Sequence, residues 1–452
     1  MKSRMWLAGT LLALLWTTPA LADNRFIVRS TLGSSGLGQF CLLQGCSVVG
    51  ALDGTLNQVF LLTTPSAIDP TIFLSVLQNT PGILDAELDQ LISLVGGLNT
   101  VTTPPPGLTD NALVNLFGTK VWNGYANQPA SAIVHVQDAQ NRFDVVGKGI
   151  VADIDTGVDP NHPALIKALL PGYDFTRNQT GGSELTDFTS PAPPPCPNCQ
   201  PAIVNQSSAA ILDQSSAAIL DGLQYAAFGH GTMVMGVIHL VAPKAQLLPL
   251  KAFRSDGTGF LSDILRAIYF AVQNNANVIN MSFDTTTNST ELKNALDYSN
   301  QLNVICVASA GNDGSPAPPN FVYPAALQSD VMGVASTSDL DTRSTFSNYG
   351  NPIVWVAAPG EAIVTTYPFS TYAAGWGTSF SAPFVSGGAA LMRSLRPDIN
   401  ESMAASALAN AQFVGPDMGN GRLDLLMALA ALPPENGSGN SSQAAILAPL
   451  LP

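Results

Sequence analysis

Ser379 sits in Gly377-Thr-Ser-Phe-Ser-Ala-Pro383, where small residues crowd a hydroxyl at the mouth of an apolar helical pattern that runs on to Met392. A hydroxyl is a poor nucleophile at neutral pH, so it needs a base, and the base needs a group that orients it. Of the four histidines, His135 lies in an apolar, strand-like stretch, His162 precedes a proline and His239 falls late in a helix. His230 differs: in Gly229-His-Gly-Thr-Met-Val-Met-Gly236 it opens a helix among residues small enough for close approach. Asp155 closes the buried strand pattern Ile150-Val-Ala-Asp-Ile-Asp155, and the end of a parallel strand is where open α/β sheets place their sites. A carboxylate there would hold an imidazole in one tautomer. Asn312, in Ala308-Ser-Ala-Gly-Asn-Asp-Gly314, follows another buried strand pattern and offers an amide donor to an oxyanion. The Ser379 backbone N–H, at a helix N-terminus, offers a second donor. Pro383 fits the first turn of that helix, where its missing N–H costs little. Any one of these residues alone reads as a cap or a turn residue. Four of them, each at a strand end or a helix start, read as a site for acyl transfer.

The elements that must position them follow from the pattern of apolar residues. Gly149–Ile154, Ala245–Phe253, Ala276–Phe283 and Leu302–Ala308 are strand candidates, and Leu261–Val272 has apolar residues at helical spacing. Strands alternating with helices imply a mostly parallel, covered sheet. Upstream, residues 23–94 form a small separate α+β unit. Its strand candidates are Arg25–Val28, Ser47–Ala51 and Gln58–Leu62, with Asp53-Gly54 as a hairpin signal. Pro70–Leu77 reads as a helix, and Leu84–Ile92 alternates like a final strand. Residues 95–144 read as a linker and N-terminal segment, with a proline run at Pro104–Pro106, and 145–432 as the main domain. Within it, 176–229 is a Pro- and Ser-rich insertion that carries QSSAAILD twice in tandem and reads as a surface loop. Residues 433–452 read as a flexible tail.

Composition excludes some classes of partner. The 452 residues are 46% apolar and only 11% charged, with a net charge of -14 and no basic cluster. Nucleic acid and anionic membrane surfaces are therefore not expected as partners. Lys2 and Arg4 precede an apolar run from Met5 to Trp16, and Ala20-Leu-Ala22 offers small residues for cleavage. Residues 1–22 thus read as a signal peptide, the run being too short to span a bilayer, and the expected location is extracellular or periplasmic. Disulfides at Cys41/Cys46 and Cys196/Cys199 suit an exported chain, whereas Cys306, in an apolar run, reads as a small packing residue.

IDTGVDPNHP, GHGTMVMG, INMSF, ASAGND and GTSFSAP, in this order, resemble the signature blocks of the subtilisin-like serine proteases over roughly residues 145–430. The resemblance implies a three-layer α/β fold with a central, mostly parallel sheet, and the triad Asp155, His230 and Ser379 with Asn312 as oxyanion donor. It also implies that Gly257, Thr258 and Gly259, with Ser282 and Phe283, flank an extended substrate. Val322 would stand at the floor of the pocket for the residue before the scissile bond, shortening it in favour of small or medium apolar side chains such as Ala or Val. Asp284, beside that pocket, reads as a solvated loop residue; pointing inward, it would instead favour Lys or Arg before the scissile bond. Residues 23–94 resemble the family's inhibitory propeptide. Met233 and Met235 stand where the family often has His and Ala. Ala164 stands where a calcium-ligating Asp is common, and the sequence after His230 runs straight through to Pro243 without a calcium loop. One family calcium site is therefore not expected, other structural calcium stays open, and the chemistry requires no cofactor. The expected protein is a secreted serine endopeptidase made as a zymogen, with polypeptides as substrates and its own propeptide as an inhibitor in cis. The alternative is a catalytically silent protein of the same fold that binds through the 176–229 insertion; a peptidase assay separates the two.

Overall fold

A computed structural model describes residues 23–94, 105–187, 202–205, 208–211 and 225–433 of the chain. The signal-peptide segment, Cys196 and Cys199, most of the tandem repeat and the tail from 434 lie outside the described residues. The described residues fall into two compact units, 23–51 with 58–88, and 52–57 with 89–433.

In the first unit, strands β1 (Asn24–Ser30), β2 (Ser47–Ala51), β3 (Val59–Thr64) and β4 (Ile83–Leu88) form an antiparallel sheet in the order β2-β3-β1-β4. Phe26 and Val28 of β1 and Phe60 and Leu62 of β3 share a core with Phe73 and Leu77 of helix α2 (Pro70–Gln78). Asp69 caps α2, its carboxylate accepting from the N–H groups of Thr71 and Ile72. A helix not expected from the sequence, α1 (Gly33–Gln44), lies between β1 and β2. It buries Leu37 and Cys41, one helical turn apart, and Cys41 is disulfide-bonded to Cys46. The expected final strand also divides: β4 stops at Leu88, and β5 (Leu91–Ser93) belongs to the second unit.

The second unit continues with the hairpin β6 (Leu113–Leu116) and β7 (Thr119–Trp122) and the short helices α3 (Asn123–Ala126), α4 (Pro129–Ile133) and α5 (Val136–Phe143). The described part of the expected linker is therefore structured, with Leu108, Val121 and Tyr125 fully buried. His135, expected in a strand, sits between α4 and α5 with φ 57°, and its Nδ1 lies 3.0 Å from Asp424 Oδ2. Next come β8 (Ile150–Asp155), β9 (Tyr173–Asp174), β10 (Gln179–Thr180), β11 (Ala202–Asn205), β12 (Ser208–Ile211) and α6 (His230–Val241). The remainder is β13 (Gln246–Lys251), β14 (Thr258–Phe260), α7 (Leu261–Gln273), β15 (Val278–Met281), α8 (Thr290–Gln301), β16 (Ile305–Ser309), β17 (Met332–Thr337), β18 (Val356–Pro359), β19 (Ile363–Tyr367), β20 (Thr371–Trp376), α9 (Thr378–Leu395), α10 (Glu401–Leu408) and α11 (Leu425–Ala430).

Eight strands form the central sheet in the order β10-β9-β13-β8-β15-β16-β17-β18, parallel except for β10. The four strand patterns read from the sequence are its centre. Helix α6 is buried along its whole length and α9 from Thr378 to Met392. The two pack together closely enough that a Cβ on Gly387 would come within 2.6 Å of Val241 Cβ. With α7 and α8 also packed on the sheet, the unit is the expected three-layer α/β arrangement. The segment expected as an insertion begins inside this architecture. Thr176–Asp187 carries β10, and Val158 and Ser183 bridge the end of β8. A second sheet, β12-β11-β20-β19, leads directly into α9.

Candidate active site

Ser379 occupies the first turn of α9 and is 2% exposed. The N–H groups of a first turn have no acceptor four residues back; here the Thr378 N–H is taken by Asn312 Oδ1 and the Phe380 N–H by the Gly377 carbonyl, while the Ser379 N–H between them donates to no group among the described residues. Pro383 lies inside the helix, beyond the first turn where the sequence placed it. Its missing N–H would otherwise bond the Ser379 carbonyl. That carbonyl instead accepts from Ser282 Oγ at 3.0 Å, and Ser379 Oγ donates to the Ser282 carbonyl at 3.0 Å. The proline thus frees one acceptor, and the strand end after β15 captures it.

Helix α6 starts at His230, after Gly229 at φ 88°. His230 is 2% and Asp155 1% exposed, and Nδ1 of the imidazole lies 2.7 Å from Asp155 Oδ1. The same oxygen accepts the Thr156 N–H at 2.6 Å. The contact depends on a close approach of two backbones, since a Cβ on Gly231 would lie 2.0 Å from the Gly157 carbonyl oxygen. Nε2 of His230 is buried and has no hydrogen-bond partner among the described residues. The imidazole ring is 5.8 Å from the ring of Phe380, the neighbour of Ser379. Met233 and Met235 are buried in the core behind the histidine.

Asn312 follows β16. Its Oδ1 accepts from Thr378 N at 2.8 Å and Thr378 Oγ1 at 3.0 Å, so the amide is pinned to the residue before Ser379 and its Nδ2 remains unspent. Thr258 and Gly259 lie in β14, and Gly257 directly precedes it. β14 pairs antiparallel with β5 in the register Thr258↔Ser93, Gly259↔Ile92 and Phe260↔Leu91, and Leu94 N donates to Gly257 O at 2.8 Å. Ser282 is taken up by Ser379, and Phe283 is buried against Phe253. Val322 is 3% exposed and precedes Tyr323, which bridges Thr285. Asp284 is not a freely solvated loop residue. It is partly buried beside Gly311, and burial, followed by the charge of Asp313, pushes its carboxyl up to about 7.

Sequence reasoning missed Glu184, Thr156, Thr232 and Thr378. The three threonines stand inside motif blocks read for their neighbours. Glu184 falls in a segment dismissed as a loop, yet it is fully buried. Burial holds its carboxyl well above the usual carboxylate range, against hydrogen bonds from Thr232 and Gly229 that pull it down. Nearby, Lys251 is also fully buried, donating to the Thr156 and Phe253 carbonyls and to Asp187 at 2.7–2.8 Å. Among the described residues, no group of three or more His, Cys, Asp or Glu side chains comes together as a metal site.

The model of the Subtilase family matches residues 147–439. Thermitase from Thermoactinomyces vulgaris is 34% identical over 248 residues, covering 54% of this chain and 74% of that protein. Subtilisin DY from Bacillus licheniformis is 37% identical over 192 residues, covering 40% of this chain and 69% of that protein. Among solved structures, one described as a lanthipeptide protease superposes with a TM-score of 0.51 at 22% identity, covering 67% of this chain and 97% of that one; this likeness bears on the fold alone.

Proposed function

We propose that this chain, which belongs to the subtilase family and is a serine-type endopeptidase acting on polypeptides, is a secreted enzyme made as a zymogen, with Asp155, His230 and Ser379 as its triad. The 2.7 Å contact between Asp155 and His230 carries this reading. It leaves Nε2, the nitrogen a nucleophile would address, without a partner among the described residues and beside the turn that bears Ser379. In the reaction, Ser379 Oγ leaves the Ser282 carbonyl and gives its proton to His230 Nε2 as it attacks the peptide carbonyl. His230 then protonates the leaving amine, and Asp155 stabilises the imidazolium while remaining ionised. The Ser379 N–H and Asn312 Nδ2 hold the oxyanion. No cofactor takes part in these steps.

The zymogen reading rests on β5. Leu91–Ser93 adds to β14 as an extended peptide adds to a sheet edge. The N-terminal unit then acts as an inhibitory propeptide in cis, with cleavage between about Leu94 and Gly107. Export rests on the charged and apolar pattern of residues 1–22. No helix among the described residues is long and apolar enough to cross a membrane. The test uses the full chain and its Ser379→Ala variant on casein, with intact mass followed over time. The wild type should cut casein and shorten itself between residues 94 and 107, and the variant should do neither. Intact casein with the wild type would favour the silent binding protein, and a fully active variant would remove Ser379 as nucleophile.

A further inference from the structure

Glu184 lies outside every signature block, yet each of its side-chain hydrogen bonds ends within two residues of a triad residue. The segment that carries it runs along the end of β8: Val158 N donates to Gly182 O at 2.9 Å and Glu184 N to Val158 O at 3.1 Å. This drives the Glu184 side chain under the start of α6. There Oε2 accepts the N–H of Gly229, the residue before His230, at 2.8 Å. The same oxygen accepts from Oγ1 of Thr156, the residue after Asp155, at 3.1 Å. Oε1 is hydrogen-bonded to Oγ1 of Thr232, two residues after His230. The ring closes on itself. Thr156 Oγ1 accepts the Gly231 N–H at 3.0 Å, and Thr232 Oγ1 accepts the Asp159 N–H at 2.7 Å.

We propose that Glu184 is the positioning residue of the triad, a carboxyl clamp that fixes the end of β8 against the first turn of α6 and so sets the Asp155–His230 separation. The inference rests on the triad reading above. Two physical points favour it over a role in stability alone. Burying a carboxyl costs free energy that an apolar residue of the same size would avoid, which suits a role in fixing geometry better than one in stability. A single rigid group also joins both backbone segments, whereas packing at this junction is between glycines, Gly157 and Gly231, which have no side chains to interlock. Glu184 touches no reacting atom and acts only through the residues it holds.

The test compares Glu184→Gln, Glu184→Ala and Thr156→Val in the full chain, each normalised by titrating reactive sites with a serine-directed fluorophosphonate. A glutamine keeps the acceptor for Gly229 and Thr156 and offers its amide to Thr232, an alanine keeps nothing, and Thr156→Val removes only the bridging hydroxyl. Misplacement of a catalytic group by about 1 Å costs on the order of 100-fold in rate. The expected result is a 10- to 100-fold loss of kcat per titrated site in Glu184→Ala, a smaller loss in Thr156→Val, and KM for a short peptide within about twofold in both, with Glu184→Gln near wild type. The low-field proton resonance of the His230 Nδ1–H bonded to Asp155 should persist in the wild type and Glu184→Gln and weaken in Glu184→Ala. If Glu184→Ala keeps wild-type kcat per site and only fewer sites titrate, the residue serves stability and the proposal fails. It fails equally if Glu184→Gln is as impaired as Glu184→Ala. Failure of the triad reading shows separately, as activity surviving in Ser379→Ala. If Glu184→Ala does not fold, Thr156→Val and Glu184→Gln decide: an unimpaired Thr156→Val overturns the clamp.

Discussion

Gly231→Ala is a single methyl group placed where the site can least accept it. The built Cβ would stand 2.0 Å from the Gly157 carbonyl oxygen, where ordinary contact begins at 3.4 Å, so about 1.4 Å of separation must be opened. The Cβ is fixed by the backbone and faces a backbone carbonyl, so no rotamer change relieves the clash. Gly157 follows Asp155 by two residues and Gly231 follows His230 by one, so the gap opens between the two groups now 2.7 Å apart. Any split of the displacement that moves His230 by about 1 Å puts the loss near 100-fold in kcat. Overpacking of this kind also costs about 1–3 kcal/mol of stability. The assay is peptide hydrolysis per fluorophosphonate-titrated site, with a thermal melt on the same preparation. KM for a short substrate should change little, because the edge Gly257–Phe260 is remote from the clash in sequence and held by its own pairing. Wild-type kcat together with a wild-type melt would refute the reasoning, because it would mean that the close backbone approach does not constrain the Asp155–His230 pair.

Other outcomes follow from the same geometry. Asn312→Ala should lower kcat by about 10²–10³-fold with little change in KM, a size borrowed from a subtilisin, and should not unfold the Thr378 turn; an equal loss in KM would argue against an oxyanion role. Asp284 is raised from the ordinary Asp value to about 7, so the folded state binds its proton more tightly than the unfolded chain, and its contribution to stability falls as pH rises from about 4 through about 7. Asp284→Asn should therefore raise Tm at pH 8 and leave it nearly unchanged at pH 4, and an equal shift at both would contradict the assignment. With Ala164 buried in an apolar cluster and α6 continuous, a chelator should lower Tm only slightly; a large drop would reveal a calcium site elsewhere.

The sequence by itself marked the four central strands of the large sheet, helix α7 and four candidate site residues. Buried strands of Val, Ile and Ala announce a covered parallel sheet because apolar runs have no other place in water. Asp155, His230, Asn312 and Ser379 stood out as candidates because each sits at an element boundary marked by glycine or small residues. What local pattern could not decide was anything that depends on a second segment. Helix α1 holds three glycines and two serines in twelve residues, a weak helix former that exists because Leu37 and Cys41 pack on the sheet and Cys46 closes it. The alternation from Leu84 to Ile92 looks like one strand, but β5 finds its partner in β14 far along the chain. Pro383 looked like a first-turn proline; whether its lost hydrogen bond leaves a free carbonyl or a satisfied one depends on Ser282, 97 residues away. Asp284 and Glu184 read as surface acids because sequence carries charge but not solvent exposure. Only the folded chain, by laying Gly182–Glu184 against the end of β8, turns the second of them inward to the residues that flank Asp155 and His230.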